Sequence, residues 1–258
     1  MKHPSSLEAL KSHPFVALAL REGFLIQKTL GPKHPARLEP DYSRDPDEHE
    51  FYLLRVGKCL ADLLTCCDHL DHIPSYLANY RETAAMKKVG LNRHEYIVLH
   101  VEGYLIRVGG LQDRCLKLID AVFHLLNDDR NATEHIVLKN IKVKRTKVTG
   151  AMKTIAKLVQ TYAAKRNDIV HHASYTDDSL RILEMYHLVQ RSDELDGGKK
   201  KTNYSEHIKE MTAEVVRDKR KEFVTFNATL AAALPALLES LQRVYDVERQ
   251  KLKAYVSA

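Results

Sequence analysis

Residues 163–172 read AAKRNDIVHH, and the fold follows from how this stretch is placed. It continues an apolar periodicity that begins near Met152. At about 100° per residue, Ile155, Leu158, Val159, Tyr162, Ile169 and Val170 fall in one arc, with Arg166 near its centre. The spacing predicts one helix from near Met152 to about residue 172, with a guanidinium where the core stripe should continue. Burying an unpaired charge costs more than one hydrogen bond returns. Arg166 therefore needs an anion, a carboxylate-lined cavity or a second subunit opposite it.

Immediately upstream the chain is one-sidedly basic. Between His135 and Asn167 there is no Asp or Glu, while Lys139, Lys142, Lys144, Arg145, Lys147, Lys153, Lys157, Lys165 and Arg166 supply nine positive charges. Such a run is either a solvated helix and loop face or an approach that attracts phosphate to the stretch 166–172.

Further out, the pattern stays helical. Val101, Tyr104, Val108, Leu111, Cys115, Ile119, Val122 and Leu126 lie on one apolar face, which predicts a single long helix over 93–126. Gly103, Gly109 and Gly110 weaken it, by about 1 kcal/mol each relative to Ala, and let another helix or a ligand approach closely. Arg107 and Arg114 share one flank of that helix, and Glu102 and Asp113 the other. An amphipathic helix carrying Phe51, Leu54, Val56, Leu60, Leu63 and Leu64 starts at Glu48 and frays near His72-Ile73-Pro74, where a second opens and runs to about Lys88 before Gly90. One or two short helices lie within 5–30, a Pro-rich loop or arm over 32–47, and a helix over 179–191 capped by Thr176 or Asp177. Helix returns over 204–255, interrupted near Pro235. An extended segment is expected at most at Ile141-Lys142-Val143. The fold class is all-α, a helical bundle with additional N- and C-terminal helices. The organisation is an N-terminal arm and loop (1–47), a helical core (48–191), an exposed basic loop (192–203) and C-terminal helices packing on that core (204–258), together one domain.

Composition agrees with a helix-rich globular chain. Of 258 residues, 44% are hydrophobic and 29% charged, with only 10 Gly and 8 Pro. The net charge of +6 permits nucleic-acid binding without requiring it. Cys59, Cys66, Cys67 and Cys115 lie inside helical patterns without the spacing of a disulfide framework, so reduced thiols and a cytoplasmic setting are expected. The apolar run at the start is short and broken by His and Pro, which predicts neither a membrane span nor a signal peptide. Sequons at Asn131, Asn203 and Asn227 carry little meaning without secretion. Cys66, His69 and His72 have helical spacing but no second ligand pair, and no metal or cofactor is expected.

Arg166-Asn167-Asp168-Ile169-Val170-His171 at the end of a late helix resembles the motif of the HEPN superfamily, in particular its larger members: Arg, four to six residues, then His, usually with a polar residue directly after the Arg. His172 satisfies the spacing too. The bare pattern also occurs at Arg44/His49, Arg93/His100, Arg130/His135 and Arg181/His187. Only Arg166 combines a following Asn, a helix end, an apolar-stripe position and a basic approach. The helix EGYLIRVGGLQDR (102–114) is similar to the helix that packs beside the motif helix in larger HEPN proteins.

The resemblance implies a helical bundle and, in many members, a metal-independent endoribonuclease of toxin–antitoxin or phage-defence systems. Cleavage of RNA by its own 2′-OH needs a base, an acid and a cation for charge on phosphorus. Imidazole fills either proton role near neutral pH, and guanidinium grips phosphate bidentately. HEPN enzymes dimerise so that two motifs share one cleft. The implied roles are catalysis by Arg166 and His171, with Asn167 holding phosphate or orienting His171, and Asp168 supporting His172. Glu102, Arg107, Asp113, Arg114 and Tyr175 are supporting candidates, and Lys139 to Lys157 the RNA-binding face. RNA, a second copy of the chain and an antitoxin or defence-system protein are the expected partners, without a membrane. In HEPN toxins paired with a nucleotidyltransferase, a Tyr stands two residues after the motif His. Here position 173 is Ala, and Tyr175 lies four residues after His171. The competing readings are a core-edge Arg166 paired with Glu102 or Asp113, histidines favoured by a helix C-terminus, and a non-catalytic module binding RNA, a nucleotide or a protein.

Overall fold

The computed structural model describes residues 7–31, 43–81, 83–88, 91–128, 130–171, 175, 177–195 and 204–258. His172, Thr176, Asn203 and most of the stretches 32–47 and 192–203 lie outside the described residues. A 3-10 turn at Glu8–Ser12 precedes eleven described helices: α1 Pro14–Leu30, α2 Glu48–Ala78, α3 Ala84–Lys88, α4 Arg93–Gly109, α5 Leu111–Val122, α6 Glu134–Lys139, α7 Ile141–Lys144, α8 Val148–Gln160, α9 Ala163–His171, α10 Asp178–Leu195 and α11 Ser205–Val256. No strand occurs among the described residues, so the all-α bundle is as expected. Residues 141–143, expected to be extended, form part of α7, with the Asn140 side chain capping the Lys142 N–H at 2.9 Å.

The chain forms two compact units. The first takes Met1–Asp68, Gly110–Gln160 and Ala228–Ala258, the second His69–Gly109 and Thr161–Asn227.

In the first unit α5 packs against α6 and α8. Phe15, Tyr52 and Tyr245 meet ring to ring in its core, and the Tyr52 hydroxyl donates to the Val122 carbonyl at 2.9 Å. Helix α5 ends at Val122, short of Leu126. His124 and Leu126 take positive φ, of 51° and 60°, which turns the chain out of the helix. Buried Asp120 holds that turn, accepting from Asn127 Nδ2 at 2.5 Å and from Arg55 at 2.7 Å. Leu126 is consequently exposed rather than core. Phe51, also expected in the core, is 41% exposed.

The second unit contains the stretch 163–171. Here α4 packs against α9 and α10. Helix α2 continues through Pro74 rather than fraying there. Proline lacks the N–H that the Leu70 carbonyl would accept in a regular helix. The side chain of Asn227, 2% exposed, supplies the missing donor: Nδ2 lies 2.9 Å from that carbonyl and 3.2 Å from Asp71 Oδ1. Its own Oδ1 accepts from the Tyr104 hydroxyl at 2.8 Å, and Tyr104 stacks on Phe223 at 3.7 Å. An asparagine so committed is no glycosylation acceptor.

Helix α11 likewise runs unbroken past Pro235. Among the described residues it is the helix long and apolar enough to cross a membrane by length and composition. Its buried positions recur at helical spacing, Ile208, Thr212, Val215 and Phe223 in one unit and Leu230, Leu234, Leu241 and Tyr245 in the other, while Arg217, Arg220 and Lys221 are exposed. One-sided burial of this kind marks a core helix.

Candidate functional site

Neither predicted long helix is continuous. The helix expected from Met152 breaks at Thr161-Tyr162, so that α8 packs on α5 while α9 packs on α4. The helix expected over 93–126 breaks at Gly110, between α4 and α5. Arg107 and Glu102 lie on α4, Arg114 and Asp113 on α5. Each arginine folds back on its own helix: Arg107 donates to the Gly103 carbonyl at 2.7 Å, and Arg114 to the Gly110 carbonyl at 2.8 Å. Glu102, Arg107 and Tyr175 belong to the same unit as Arg166. Asp113, which is exposed, and Arg114 belong to the other.

Arg166 is half-buried on α9, and its aliphatic stem crosses the backbone of Gly109, the last residue of α4. A Cβ placed on Gly109 would stand 2.9 Å from Arg166 Cδ, 3.0 Å from Nε and 3.1 Å from Cγ. The glycine thus provides the close approach that lets the side chain lie flat on α4. The guanidinium has no ion pair or side-chain hydrogen bond among the described residues. By contrast, Glu50 holds Arg44 bidentately and Asp178 accepts one hydrogen bond from Arg181, so both of those occurrences of the spacing are paired with carboxylates. No Arg166–Glu102 ion pair forms among the described residues; Glu102 Oε1 accepts from the backbone N–H of Tyr175 at 2.7 Å.

That contact is part of a polar clamp on the motif helix. At its start the Tyr162 hydroxyl donates to Glu222 at 3.0 Å, and Lys165 reaches the same carboxylate at 3.4 Å. Beyond its end, Tyr175 is 6% exposed, and its hydroxyl lies 3.1 Å from Asp177 and 3.2 Å from Lys219. Lys219 joins the two ends, 2.7 Å from Asp177 and 3.4 Å from Glu222. Burial alone would lower the Lys219 pKa. The hydrogen bond to Asp177 and the charge of Glu222 outweigh it and leave the ammonium raised. For Asp177, burial works against ionisation, but the hydrogen bond from Lys219 prevails and the carboxyl is lowered. Burial beside Glu222 raises the Tyr162 phenol, keeping it a donor. Nothing in the sequence singled out Lys219 and Glu222, since both sit as ordinary charges in a long helix.

Asn167 and Asp168 are exposed, Ile169 is half-buried and Val170 is 50% exposed. The apolar stripe of α9 therefore opens to solvent beside Arg166. Helix α9 stays regular through His171, so positions 166 and 171 stand about 140° apart around its axis. Lys139, Lys142, Lys144, Arg145, Lys147, Lys153 and Lys157 are all exposed, carry no ion pair among the described residues, and belong to the first unit. Cys66 is buried, and His69 accepts from Arg107 Nε at 3.4 Å. A cavity of about 700 Å³ in the first unit, lined among others by Phe24, Phe51, Leu54 and Arg55, includes no motif residue.

An all-α bundle with an Arg-Asn-x3-His motif on a helix seated against a glycine-bearing neighbour has the makings of a HEPN protein. The chain belongs to the HEPN superfamily: residues 52–237 match the HEPN_Cthe2314-like HEPN family. No curated protein and no solved structure matches it. Membership points to a ribonuclease or a nucleotide-binding module.

Proposed function

We propose that this protein is an endoribonuclease that cleaves RNA through attack of the 2′-OH, without a metal ion, as a homodimer with a composite site. The observation that carries this reading is the guanidinium of Arg166, without an ion pair among the described residues and laid on Gly109 by a helix that ends in His171. Arg166 holds the phosphate and stabilises charge on the pentacoordinate phosphorus. One imidazole takes the 2′-OH proton and the other protonates the leaving 5′-oxygen, giving a 2′,3′-cyclic phosphate. Two histidines are needed for these two transfers, and each chain offers His171. The 140° between positions 166 and 171 supports dimerisation, because within one chain the two do not share a face of α9. Exposed Val170 beside Arg166 gives the seam an apolar component. Asn167 and Asp168 stand exposed for phosphate or imidazole contacts. A toxin or phage-defence role, in the cytoplasm, fits this activity. Tyr175 is buried with its hydroxyl engaged, which argues against adenylylation by a nucleotidyltransferase partner.

The test is cleavage of RNA in excess EDTA by the wild-type chain, Arg166→Ala and His171→Ala. Activity that survives chelation and is lost in both variants supports the dyad. Loss of wild-type activity on mixing with excess His171→Ala chain, as heterodimers carrying a single His171 form, supports the composite cleft. Wild-type RNA left intact would refute the enzyme. The second reading, a non-catalytic RNA-binding module, is favoured by the seven unpaired cations from Lys139 to Lys157. It predicts binding that tolerates loss of His171 and weakens when those cations are removed.

A further inference from the structure

In the second unit, one face of α2 presents His69, His72 and Tyr76, with Tyr80 just beyond the helix end. One face of α4 presents Tyr96, His100 and Arg107. Steps of three, four or seven residues place each set on one side of its helix. The rings meet across the gap between the two helices as a continuous ladder. Centroids are 6.0 Å apart for His72–Tyr76, 5.6 Å for Tyr76–His100, 4.3 Å for Tyr96–His100 and 4.9 Å for Tyr80–Tyr96. At the far end Arg107 Nε lies 3.4 Å from His69 Nδ1.

The ladder is not a core. Tyr76 is 48% exposed, His69 and His72 are exposed, and Tyr96, His100 and Arg107 are half-buried. Interplanar angles of 43° to 67° tilt the rings against one another instead of stacking them face to face. The exposed rings of His72 and Tyr76 leave surface for a third planar group. The Tyr96 hydroxyl donates to the Tyr76 carbonyl at 3.2 Å and fixes that ring in place. None of these seven positions is a carboxylate, and the fixed charge among them is the cation of Arg107. Burial, and then Arg107, lower the His100 pKa, so its ring stays neutral near pH 7. Flat aromatic faces in series, with a guanidinium at one end and no acid, match successive bases on a phosphate backbone.

We propose that this strip is a stacking platform for the bases of single-stranded RNA. It deepens the ribonuclease reading by naming the substrate class, and rests on it only in taking RNA as the ligand. The platform lies on the face of α4 turned away from Gly109, which meets Arg166 of α9, and from Glu102, which accepts the Tyr175 N–H. It therefore holds a flank of the RNA outside the cleavage site.

The test uses the full-length chain carrying His171→Ala, so that RNA stays intact. Its probes are a labelled oligoadenylate of about 12 nucleotides and an abasic ribose-phosphate oligomer of equal length. Tyr76→Ala is expected to weaken oligoadenylate binding roughly 5- to 100-fold, with Tyr76→Phe near wild type and the abasic affinity unchanged. Equal loss of both oligomers, or unchanged oligoadenylate affinity in both Tyr76→Ala and Tyr96→Ala, overturns the proposal. So does a shift of Tyr76→Ala from dimer to monomer in light scattering with RNA affinity unchanged, which assigns the face to a second copy of the chain. Wild-type RNA left uncleaved in the dyad test refutes the ribonuclease alone, because the base-dependent difference is read from binding.

Discussion

Gly109→Ala should separate stability from activity. The glycine ends α4 without a positive φ, so Ala fits the backbone, and in a helix Ala is favoured over Gly by up to about 1 kcal/mol. The added methyl would stand 2.9 Å from Arg166 Cδ, about 0.5 Å inside the 3.4 Å at which ordinary contact begins. It has similar conflicts with Nε and Cγ, so a whole stretch of the stem must lift rather than one terminal atom. The Arg166 side chain is flexible, and its guanidinium has no ion pair or side-chain hydrogen bond to lose among the described residues, so the fold accommodates the move cheaply. The phosphate site does not. A displacement approaching 1 Å in a positioning group costs on the order of 100-fold in rate. We therefore expect thermal unfolding within about 4 °C of wild type and kcat/KM for RNA cleavage lower by roughly 10- to 100-fold, with RNA binding through the basic face retained. Wild-type cleavage by a normally folded Gly109→Ala protein would refute the claim that Arg166 acts from its seat on that glycine.

Asn227→Ala removes the donor that replaces the missing N–H of Pro74 and strands the Leu70 carbonyl, while weakening the hold on the Tyr104 hydroxyl. Denaturant unfolding should show a loss of about 2–4 kcal/mol, and a loss under about 0.5 kcal/mol would mean that water or a relaxed helix fills the role. Lys219→Met should destabilise the protein near pH 7, and the gap from wild type should close at acid pH. Asp177 is lowered in the fold from its ordinary 3.8, so its contribution is present above that value and lost as pH falls through the folded pKa. Lys219 is raised from 10.5, so its share persists below 10.5 and disappears as pH rises through the folded value. A gap that is constant from pH 7 to pH 2 contradicts the pairing. Replacing Lys144 and Arg145 together by Ala should weaken RNA binding regardless of sequence and reduce the salt-dependence slope by about 1.4 for single strands. An unchanged slope would place the RNA elsewhere.

The helical class and most of the helices were legible because apolar residues recur at 3.6-residue spacing over long windows. The interruptions were not, because each is decided by a partner distant in sequence. Pro74 reads as a stop until Asn227, far along the chain, takes over its hydrogen bond. Leu126 reads as core until Asp120 and Asn127 turn the backbone away from the helix. The run from Met152 to residue 172 reads as one helix because its stripe is continuous, yet α8 and α9 face different neighbours and break at Thr161-Tyr162. Arg166 was legible for an opposite reason, as a charge violating its own stripe. Its seat was half visible, since the glycines of α4 signalled a close approach without saying what approached. Lys219 and Glu222 were invisible. A charged residue in a long amphipathic helix looks the same whether it faces water or ties down a neighbouring helix.

The clamp around α9 has a consequence for Arg166 that goes beyond rigidity. Three carboxylates belong to the network that holds the motif helix, and each is already engaged. Glu102 accepts the Tyr175 N–H, Glu222 receives Tyr162, Lys165 and Lys219, and Asp177 receives Lys219 and the Tyr175 hydroxyl. Each of the three is thus tied to a partner other than Arg166. Lys219 is central to this arrangement because one buried ammonium occupies two carboxylates at once. Glycine at position 109 completes it by giving the guanidinium stem a surface to lie on that offers no charge. The motif arginine is thus held in place by packing rather than by pairing. Of the ways to fix a cation inside a folded chain, that one leaves its hydrogen-bonding capacity for a ligand.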